Sequence, residues 1–235
     1  MNPYKIDFTD FFTSAFSVDC LIFGYKEGKI NTLLIKRSVD PYKDRWAIPG
    51  DLVYPDEDLP VAAERILREL TGLTNIPMHQ AHTFGSPLRH PQGRVITIAY
   101  FALVRIEDVS IRASSWANEI KWEPVLEVGE LAFDHNEILD ATFDRLKKQL
   151  SIEPICFELL PEKFTLNEFQ LLFEYVKGIA YDKANFRKKI NSMKYNFITE
   201  MINILKKNSD IIKIKEIEQK NAIVFKKSSF FRWFY

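Results

Sequence analysis

The stretch from residue 46 to residue 73, WAIPGDLVYPDEDLPVAAERILRELTGL, constrains the fold more than any other part of the chain. Its second half has the features of a single helix. Asp58 is a favourable N-cap, Pro60 is tolerated in the first turn, and Gly72 is typical of the position where a helix ends. The sequence therefore predicts a loop that leads into one helix.

This stretch resembles the Nudix box, the motif with which Nudix proteins hold magnesium over a pyrophosphate. The positions that match the motif are Glu57, Arg65, Leu67, Glu69, Gly72 and Leu73. The residues Trp46, Pro49 and Gly50 before them are similar to the family's entry into the loop. This resemblance implies a fold of the α+β class, a Nudix-like α/β/α sandwich with a mixed sheet.

The chain departs from the Nudix box at positions that carry its chemistry. Asp51 replaces a glycine of the motif, and Ile66 and Leu70 replace two of the carboxylates that hold magnesium in the family. These two positions and Glu69 share one helical face, and magnesium demands several hard oxygen ligands. We therefore predict no metal site and no catalytic residue. Glu69 is expected to pair with Arg65, and Ile66 and Leu70 are expected to pack in the core.

The rest of the first half mixes strands with one more helix. Apolar, β-branched and aromatic runs predict strands at residues 16–23, 30–35, 52–54, 95–104 and 120–124. The first two are expected to form a hairpin through a turn at residues 24–28. Apolar residues at helical spacing predict a helix over residues 134–150.

The character of the chain changes after Leu150, where the segment 151–164 holds two prolines and is typical of a junction between domains. The pattern then predicts helices at residues 166–177, 182–193 and 196–207 and a hairpin within residues 211–227. This order is that of a winged helix-turn-helix. We therefore predict an effector-binding Nudix-like domain at residues 1–152 and a DNA-binding domain at residues 153–235.

The second predicted helix of this domain, with Asp182 as its N-cap, carries the candidate DNA-binding residues. Cations suit phosphates, and Asn and Arg side chains suit base edges in the major groove. The candidate residues are Lys183, Asn185, Arg187, Lys188, Lys189 and Lys194. Ala184, Phe186 (or the stem of Arg187) and Ile190 are expected to face inward. A run of charge on a helix is more often only a solvated face, and that alternative stays open.

Charge is distributed unevenly along the chain. Residues 1–150 contain 17 Lys and Arg against 22 Asp and Glu, whereas residues 151–235 contain 15 against 10. The basic half is the candidate for a polyanionic partner, although chance variation alone produces a difference of this size. Two distant cysteines, Cys20 and Cys156, favour a reducing compartment. Without a signal pattern or a membrane-length apolar run, the chain is expected to be cytoplasmic, with no membrane partner.

A cluster of cations precedes the strongest predicted strand. Arg89 and Arg94 lie in the loop SPLRHPQGRV, and Arg37 ends an earlier strand. Guanidinium groups suit phosphate or carboxylate recognition because their donors form a planar fork. The Nudix resemblance places this loop near the ligand cleft. The candidate effector-binding residues are Arg37, Trp46, Glu57, Glu69, Arg89 and Arg94. The alternative is that these are exposed loop charges and a core tryptophan.

The order of motifs over nearly the whole chain resembles the Nudix-related transcriptional regulators. The segments that carry this resemblance are LAFDHNEILDATFDRLKKQL, FTLNEFQLLFEYVKG and DKANFRKKI. It implies a bacterial repressor that binds palindromic operator DNA as a homodimer and controls NAD biosynthesis or pentose use. The DNA would be released when a metabolite such as ADP-ribose or a pentose binds to a catalytically degenerate Nudix domain, and no cofactor is expected.

Two other functions stay open. One is a Nudix hydrolase of ADP-ribose or a related nucleoside diphosphate with an accessory domain, and this would require magnesium-dependent chemistry at Glu69. The other is a protein-interaction module that uses the basic helix on an acidic partner.

Overall fold

The computed structural model describes residues 14–152, 159–160, 166–186 and 188. The chain divides into two compact units, Met1–Leu159 and Leu160–Tyr235. The domain limits expected from the sequence, 1–152 and 153–235, stay a prediction.

A mixed sheet of seven strands forms the centre of the N-terminal unit. Its central strand β1 (Ala15–Lys26) forms an antiparallel hairpin with β2 (Lys29–Arg37) and runs parallel to β6 (Val95–Arg105). All three strands are buried over most of their length, as their β-branched and aromatic composition predicts. The predicted hairpin and the predicted strand at residues 95–104 are confirmed.

Shorter strands complete the sheet. These are β3 (Trp46–Ala47), β4 (Gly50–Leu52), β5 (His79–Phe84) and β7 (Ala117–Pro124). Strand β4 pairs with β1 and begins two residues before the predicted strand at residues 52–54, so the two share only Leu52 and the predicted bounds are wrong. Strands β3 and β5 were not predicted, because β3 has two residues and β5 is a polar strand whose partner among the described strands is β6. Strand β7 pairs with β2 and includes the predicted strand at residues 120–124.

Helix α1 (Leu59–Thr71) occupies the predicted position and ends at Gly72, whose φ of 75° is the left-handed conformation that favours glycine. Asp58 stands at the N-cap as predicted, although its side chain makes no capping hydrogen bond. Ile66 and Leu70 are 0% and 1% exposed in the core that α1 forms with the sheet. Their predicted packing role is confirmed. The second helix, α2 (His135–Ile152), also agrees with the sequence pattern.

The C-terminal unit is described for helix α3 (Leu166–Lys177) and the start of the next helix. Gly178 follows α3 with a φ of 64°. Asp182 caps the next helix, because its Oδ1 accepts the N–H groups of Ala184 and Asn185 at 3.0 and 2.9 Å. Phe186 is fully buried against α3, whereas Ala184 is exposed, so the inward orientation expected for Ala184 is wrong.

Several expectations lie outside the described residues. They concern Cys156, Arg187, Lys189, Ile190, Lys194, the helix at residues 196–207 and the hairpin within residues 211–227. None of the helices among the described residues combines the length and apolarity needed to cross a membrane.

Candidate functional site: a polar cleft at the centre of the sheet

Arg65 holds the loop before α1 to the helix itself. Its guanidinium donates two hydrogen bonds to the Glu57 carboxylate, at 2.9 and 2.6 Å, and a third to the carbonyl oxygen of Leu52 at 2.8 Å. The Tyr54 ring lies over it at 3.9 Å. The pKa of Glu57 is lowered, mainly by the hydrogen bond from Arg65. Arg65 and Glu57 therefore serve as a structural clamp.

The residues of α1 do not fit a magnesium ion. Glu69 forms ion pairs with Arg65 at 3.4 Å and with Arg68 at 3.7 Å, which confirms the expected pair with Arg65. Its neighbours on the same face, Ile66 and Leu70, are buried apolar groups. Within the part of the chain that the structure describes, no group of three or more His, Cys, Asp or Glu side chains is arranged to hold a metal. Magnesium prefers several oxygen ligands, so a single paired carboxylate is a poor site.

A cleft of about 310 Å³ lies where β1, β2, β4 and β6 meet the start of α2 and the loops at residues 38–45 and 86–94. Its charged wall consists of Asp19, Arg37, Asp40, Asp51 and Arg89, and its rings are His90, Trp116, Phe133 and His135. Small-molecule sites combine rings with polar groups that fix the orientation of the ligand, and this cleft has both, with more charge than is usual.

Arg89 is held rigidly by neighbouring groups. It forms two hydrogen bonds with the Asp134 carboxylate, at 2.8 and 2.6 Å, and a third with the Thr97 hydroxyl. Thr97 is in turn hydrogen-bonded to Ser17 at 2.6 Å. Because this pairing occupies the planar fork, Arg89 shapes the wall of the cleft and is largely neutralised by Asp134.

Arg37 lies between two aromatic rings. Its guanidinium carbon is 4.9 Å from the ring centroids of both Trp116 and Phe133, and His90 stacks on Phe133 at 5.0 Å. Its Nε atom donates to the carbonyl of Pro41 at 2.8 Å. No described residue accepts a hydrogen bond from its terminal Nη atoms. Arg37 is thus a buried cation with free donors at the cleft.

Asp19 and His135 form the floor of the cleft. Ile48 N–H donates to His135 Nδ1 at 2.9 Å, so the neutral ring carries its proton on Nε2, 3.8 Å from Asp19 Oδ2. Burial raises the pKa of Asp19 to about 7 and lowers the pKa of His135 to about 3. Both shifts disfavour charge on these groups, so the two side chains do not form an ion pair near neutral pH.

The local backbone leaves room for the Asp19 carboxyl group. A Cβ atom added to Gly50 would lie 1.9 Å from Asp19 Oδ1, so only glycine fits beneath it. The next residue, Asp51, accepts a hydrogen bond from Trp116 Nε1 at 3.3 Å and one from its neighbour's backbone N–H. The position at which this chain departs from the motif glycine therefore contributes a second carboxylate to the cleft.

The structure brings together two of the six candidate effector residues. Arg37 and Arg89 line the cleft. Trp46 instead contacts Lys121, whose Nζ is 4.4 Å from its ring centroid, and Arg94 donates to the carbonyl of Gly85. The remaining two, Glu57 and Glu69, bind Arg65 as described above.

Sequence reasoning missed most of the cleft. The missed residues are Asp19, Asp51, Trp116, Phe133 and His135. A lone acid in the otherwise apolar strand FSVDCLIF is a signal for Asp19, because carboxylates are rarely buried without a reason.

Comparison with known proteins identifies the family. The NUDIX domain model matches residues 13–145, and the model of the NrtR DNA-binding winged helix domain matches residues 156–209. The chain belongs to the NrtR family of Nudix-related regulators. It is therefore a transcriptional regulator that joins a Nudix effector domain to a winged helix.

Similar proteins include an ADPR-responsive transcriptional repressor, NtrR, of Acinetobacter baylyi. It is 33% identical over 186 residues, which is 77% of this chain and 74% of that protein. The ADP-ribose pyrophosphatase of Methanocaldococcus jannaschii is 34% identical over 125 residues, 53% of this chain and 70% of that protein.

Solved structures of Shewanella oneidensis NrtR are similar at 28% identity. The complex with a 27mer DNA superimposes with a TM-score of 0.62 over 75% of this chain and 82% of that chain. The NUDIX domain complexed with ADP ribose gives a TM-score of 0.55 over 60% of this chain and 94% of that chain.

Proposed function

We propose that this NrtR-type regulator is a repressor that binds operator DNA and releases it when a sugar or nucleotide-sugar metabolite enters the cleft. The observation that carries the proposal is that Asp19 and Arg37, both buried, face the cleft with hydrogen-bonding capacity that no described residue uses. Buried polar groups without a protein partner are expected where a ligand binds. The ADPR-responsive relative makes ADP-ribose the first ligand to test.

The proposed DNA contacts come from the helix that begins after Asp182. Lys183, Asn185 and Lys188 are exposed on it, although the Asn185 amide also bonds to the Asp182 carboxylate. Cations on this surface suit phosphates. The contacts of Arg187, Lys189 and Lys194 are proposed from the sequence pattern and the winged-helix match alone.

A binding titration tests the DNA contacts. The probe is the DNA upstream of the chain's own gene, and the comparison is between the native protein and a Lys183→Ala, Lys188→Ala variant. We expect weaker binding and a logarithmic salt slope that is smaller by about 2, since each lost phosphate contact removes about one unit. The matched control is Lys26→Ala, an exposed lysine of the N-terminal unit. Unchanged affinity and slope in the double variant would refute these contacts.

We also propose that two copies bind a palindromic operator, in keeping with the two-fold logic of helix-turn-helix proteins. Light scattering of the free protein and of its DNA complex measures the stoichiometry. One copy per operator would contradict this part of the proposal.

A second candidate function is hydrolysis of ADP-ribose, favoured by the similarity to an ADP-ribose pyrophosphatase. The donor set on α1 argues against it. Magnesium-dependent release of AMP from ADP-ribose, lost in Glu69→Gln, would support the hydrolase. Binding of ADP-ribose without turnover would support the sensor.

A further inference from the structure

We infer that Gln170 and Glu174 on α3 are positioning residues for DNA binding, because together they fix the point at which the next helix begins. This inference rests on the proposed function, since it names what orients the helix that carries the proposed DNA contacts. The turn latch is the name used below for the side chains of Gln170 and Glu174 together with the backbone of Tyr181.

The turn latch closes the segment between α3 and the next helix. The Glu174 carboxylate accepts the N–H of Tyr181 at 2.7 Å through Oε1, and the Gln170 amide donates to the carbonyl oxygen of Tyr181 at 2.8 Å. The same amide donates to Glu174 Oε1 at 2.8 Å, so the two side chains also hold each other. Both backbone groups of Tyr181 are therefore bonded to side chains that lie one turn apart on the same face of α3.

The turn latch lies directly before the start of the next helix. Residues 178–180, which connect α3 to Tyr181, are exposed. Tyr181 is followed by the N-cap Asp182, whose side chain accepts the N–H groups of Ala184 and Asn185. Hydrogen bonds from α3 therefore fix the last residue before the cap.

Packing of rings alone does not set the direction of the next helix. Phe186 is fully buried, and its ring centroid lies 5.7 to 6.1 Å from those of Phe169, Phe173 and Tyr181. Apolar burial is non-directional, whereas a hydrogen bond requires both a distance and an angle. The rings thus hold the next helix against α3, and the turn latch fixes its direction.

The direction of the next helix matters for the proposed DNA contacts. Lys188 lies six residues after Asp182, about 9 Å along a helix axis, so a tilt of about 10° at Asp182 would move it by about 1.6 Å. Hydrogen bonds to phosphate oxygens are made within a distance range of about 0.5 Å. Loss of the turn latch should therefore remove phosphate contacts even while the helix stays folded.

Burial and charge both favour a closed turn latch. Gln170 is 9% exposed, and a buried amide left without its acceptors is unfavourable. The pKa of Glu174 is lowered, mainly by the hydrogen bond from Gln170 and next by the one from the Tyr181 N–H. The carboxylate is therefore ionised near neutral pH, and ionised acceptors make the stronger hydrogen bonds.

The test measures DNA binding by the full-length protein with fluorescence anisotropy at several salt concentrations. The DNA is the fragment upstream of the chain's own gene, and the variants are Glu174→Ala, Glu174→Gln, Gln170→Ala and a control, Asn167→Ala, at an exposed amide on α3. The fraction of active protein is first measured by titration at a DNA concentration far above the dissociation constant, so that each affinity refers to folded protein. Both Glu174 variants lose the same charge, but only Glu174→Gln keeps an acceptor oxygen for the Tyr181 N–H.

We expect Glu174→Ala to bind at least about tenfold more weakly than Glu174→Gln, and Gln170→Ala to bind at least about tenfold more weakly than Asn167→Ala. The slope of log affinity against log salt should be smaller by about 1 or more in the two weakened variants, because each lost phosphate contact removes about one unit. A purely structural role would lower the active fraction and leave the affinity and the slope of the folded protein unchanged.

Equal affinities and slopes in Glu174→Ala and Glu174→Gln would overturn the inference, and so would native values in Gln170→Ala. Both results would leave the proposed repressor intact. Native protein that does not bind the DNA would refute the proposed function and this inference together.

Discussion

Replacing Asp19 by Asn should stabilise the N-terminal unit, and the gain should grow with pH. Burial is the largest cause that raises the pKa of Asp19 from 3.8 to about 7. Arg89 and Arg37 oppose this shift, and Asp134 and Asp51 add to it. The folded state therefore retains a proton that the unfolded chain has already released, so native stability falls as pH rises from about 4 to about 7.

The size of the effect follows from the shift. A change of about three pKa units corresponds to about 4 kcal/mol when Asp19 is fully ionised. About 2 kcal/mol of this stability has been lost by about pH 5.5. A further loss of about 2 kcal/mol is expected between about pH 5.5 and about pH 8.5. The amide introduced by Asp19→Asn does not titrate, so the variant should lack this pH-dependent loss.

Urea unfolding without ligand measures the difference at both pH values. Tryptophan fluorescence reports mainly on the N-terminal unit, because three of the four tryptophans, Trp46, Trp116 and Trp122, lie there. The advantage of Asp19→Asn over the native protein should increase by about 2 kcal/mol from the lower to the higher pH. The control is Asp140→Asn, at an exposed carboxylate on α2, and its stability relative to the native protein should be the same at both pH values. An advantage that is equal at both pH values would refute the claim that Asp19 holds a proton through burial.

Further substitutions test the clamp, the core and the winged helix. Arg65→Ala should cost about 1–3 kcal/mol because it leaves the partly buried Glu57 carboxylate with only the Tyr54 N–H as a recorded partner, whereas Glu69→Gln should cost only a few tenths. Equal costs in urea unfolding would contradict the clamp. The double change Ile66→Glu, Leu70→Glu restores the motif's carboxylates at two buried positions. It should lower the melting temperature and should not produce ADP-ribose hydrolysis, because buried charges without partners are unfavourable. A variant that is stable and hydrolyses ADP-ribose would contradict the packing role of these residues. Phe186→Ala should lower the free energy of unfolding of the C-terminal unit by about 3–5 kcal/mol, because it removes a fully buried ring. In a thermal scan, part of the helical circular dichroism signal should then be lost at a lower temperature than in the native protein. An unchanged melting curve would contradict the burial of Phe186.

The sequence predicts those strands and helices whose own pattern of apolar residues matches the face that is buried in the fold. Strands β1, β2 and β6 are long apolar runs, and the spacing along α1 places Ile66 and Leu70 on its buried face. The pair between Arg65 and Glu69 follows from helical geometry alone. By contrast, strands β3 and β5 form because they pair with β2 and β6, respectively. Strand β3 has only two residues and β5 is polar, so neither has a clear strand pattern in its own sequence.

The residues of the cleft are harder to predict from the sequence, because they come from parts of the chain that are far apart in the sequence. Asp19, Asp51, Trp116 and His135 approach one another only after the sheet and α2 have packed. Spacing along the sequence contains no information about such contacts. Of the candidate effector residues, Arg37 and Arg89 line the cleft together, whereas the motif carboxylates Glu57 and Glu69 are bound to Arg65.

Fluorescence anisotropy of labelled operator DNA tests the central claim most directly. The DNA is the fragment upstream of the chain's own gene, and ADP-ribose, D-ribose or L-arabinose is titrated into its complex with the native protein and with Asp19→Asn. We expect one of these ligands to release the DNA from the native protein. The same concentration should leave the Asp19→Asn complex bound, although this variant binds the DNA equally well without ligand. DNA that is not bound at all, or release by the same ligand concentration in both proteins, would contradict a repressor controlled through this cleft.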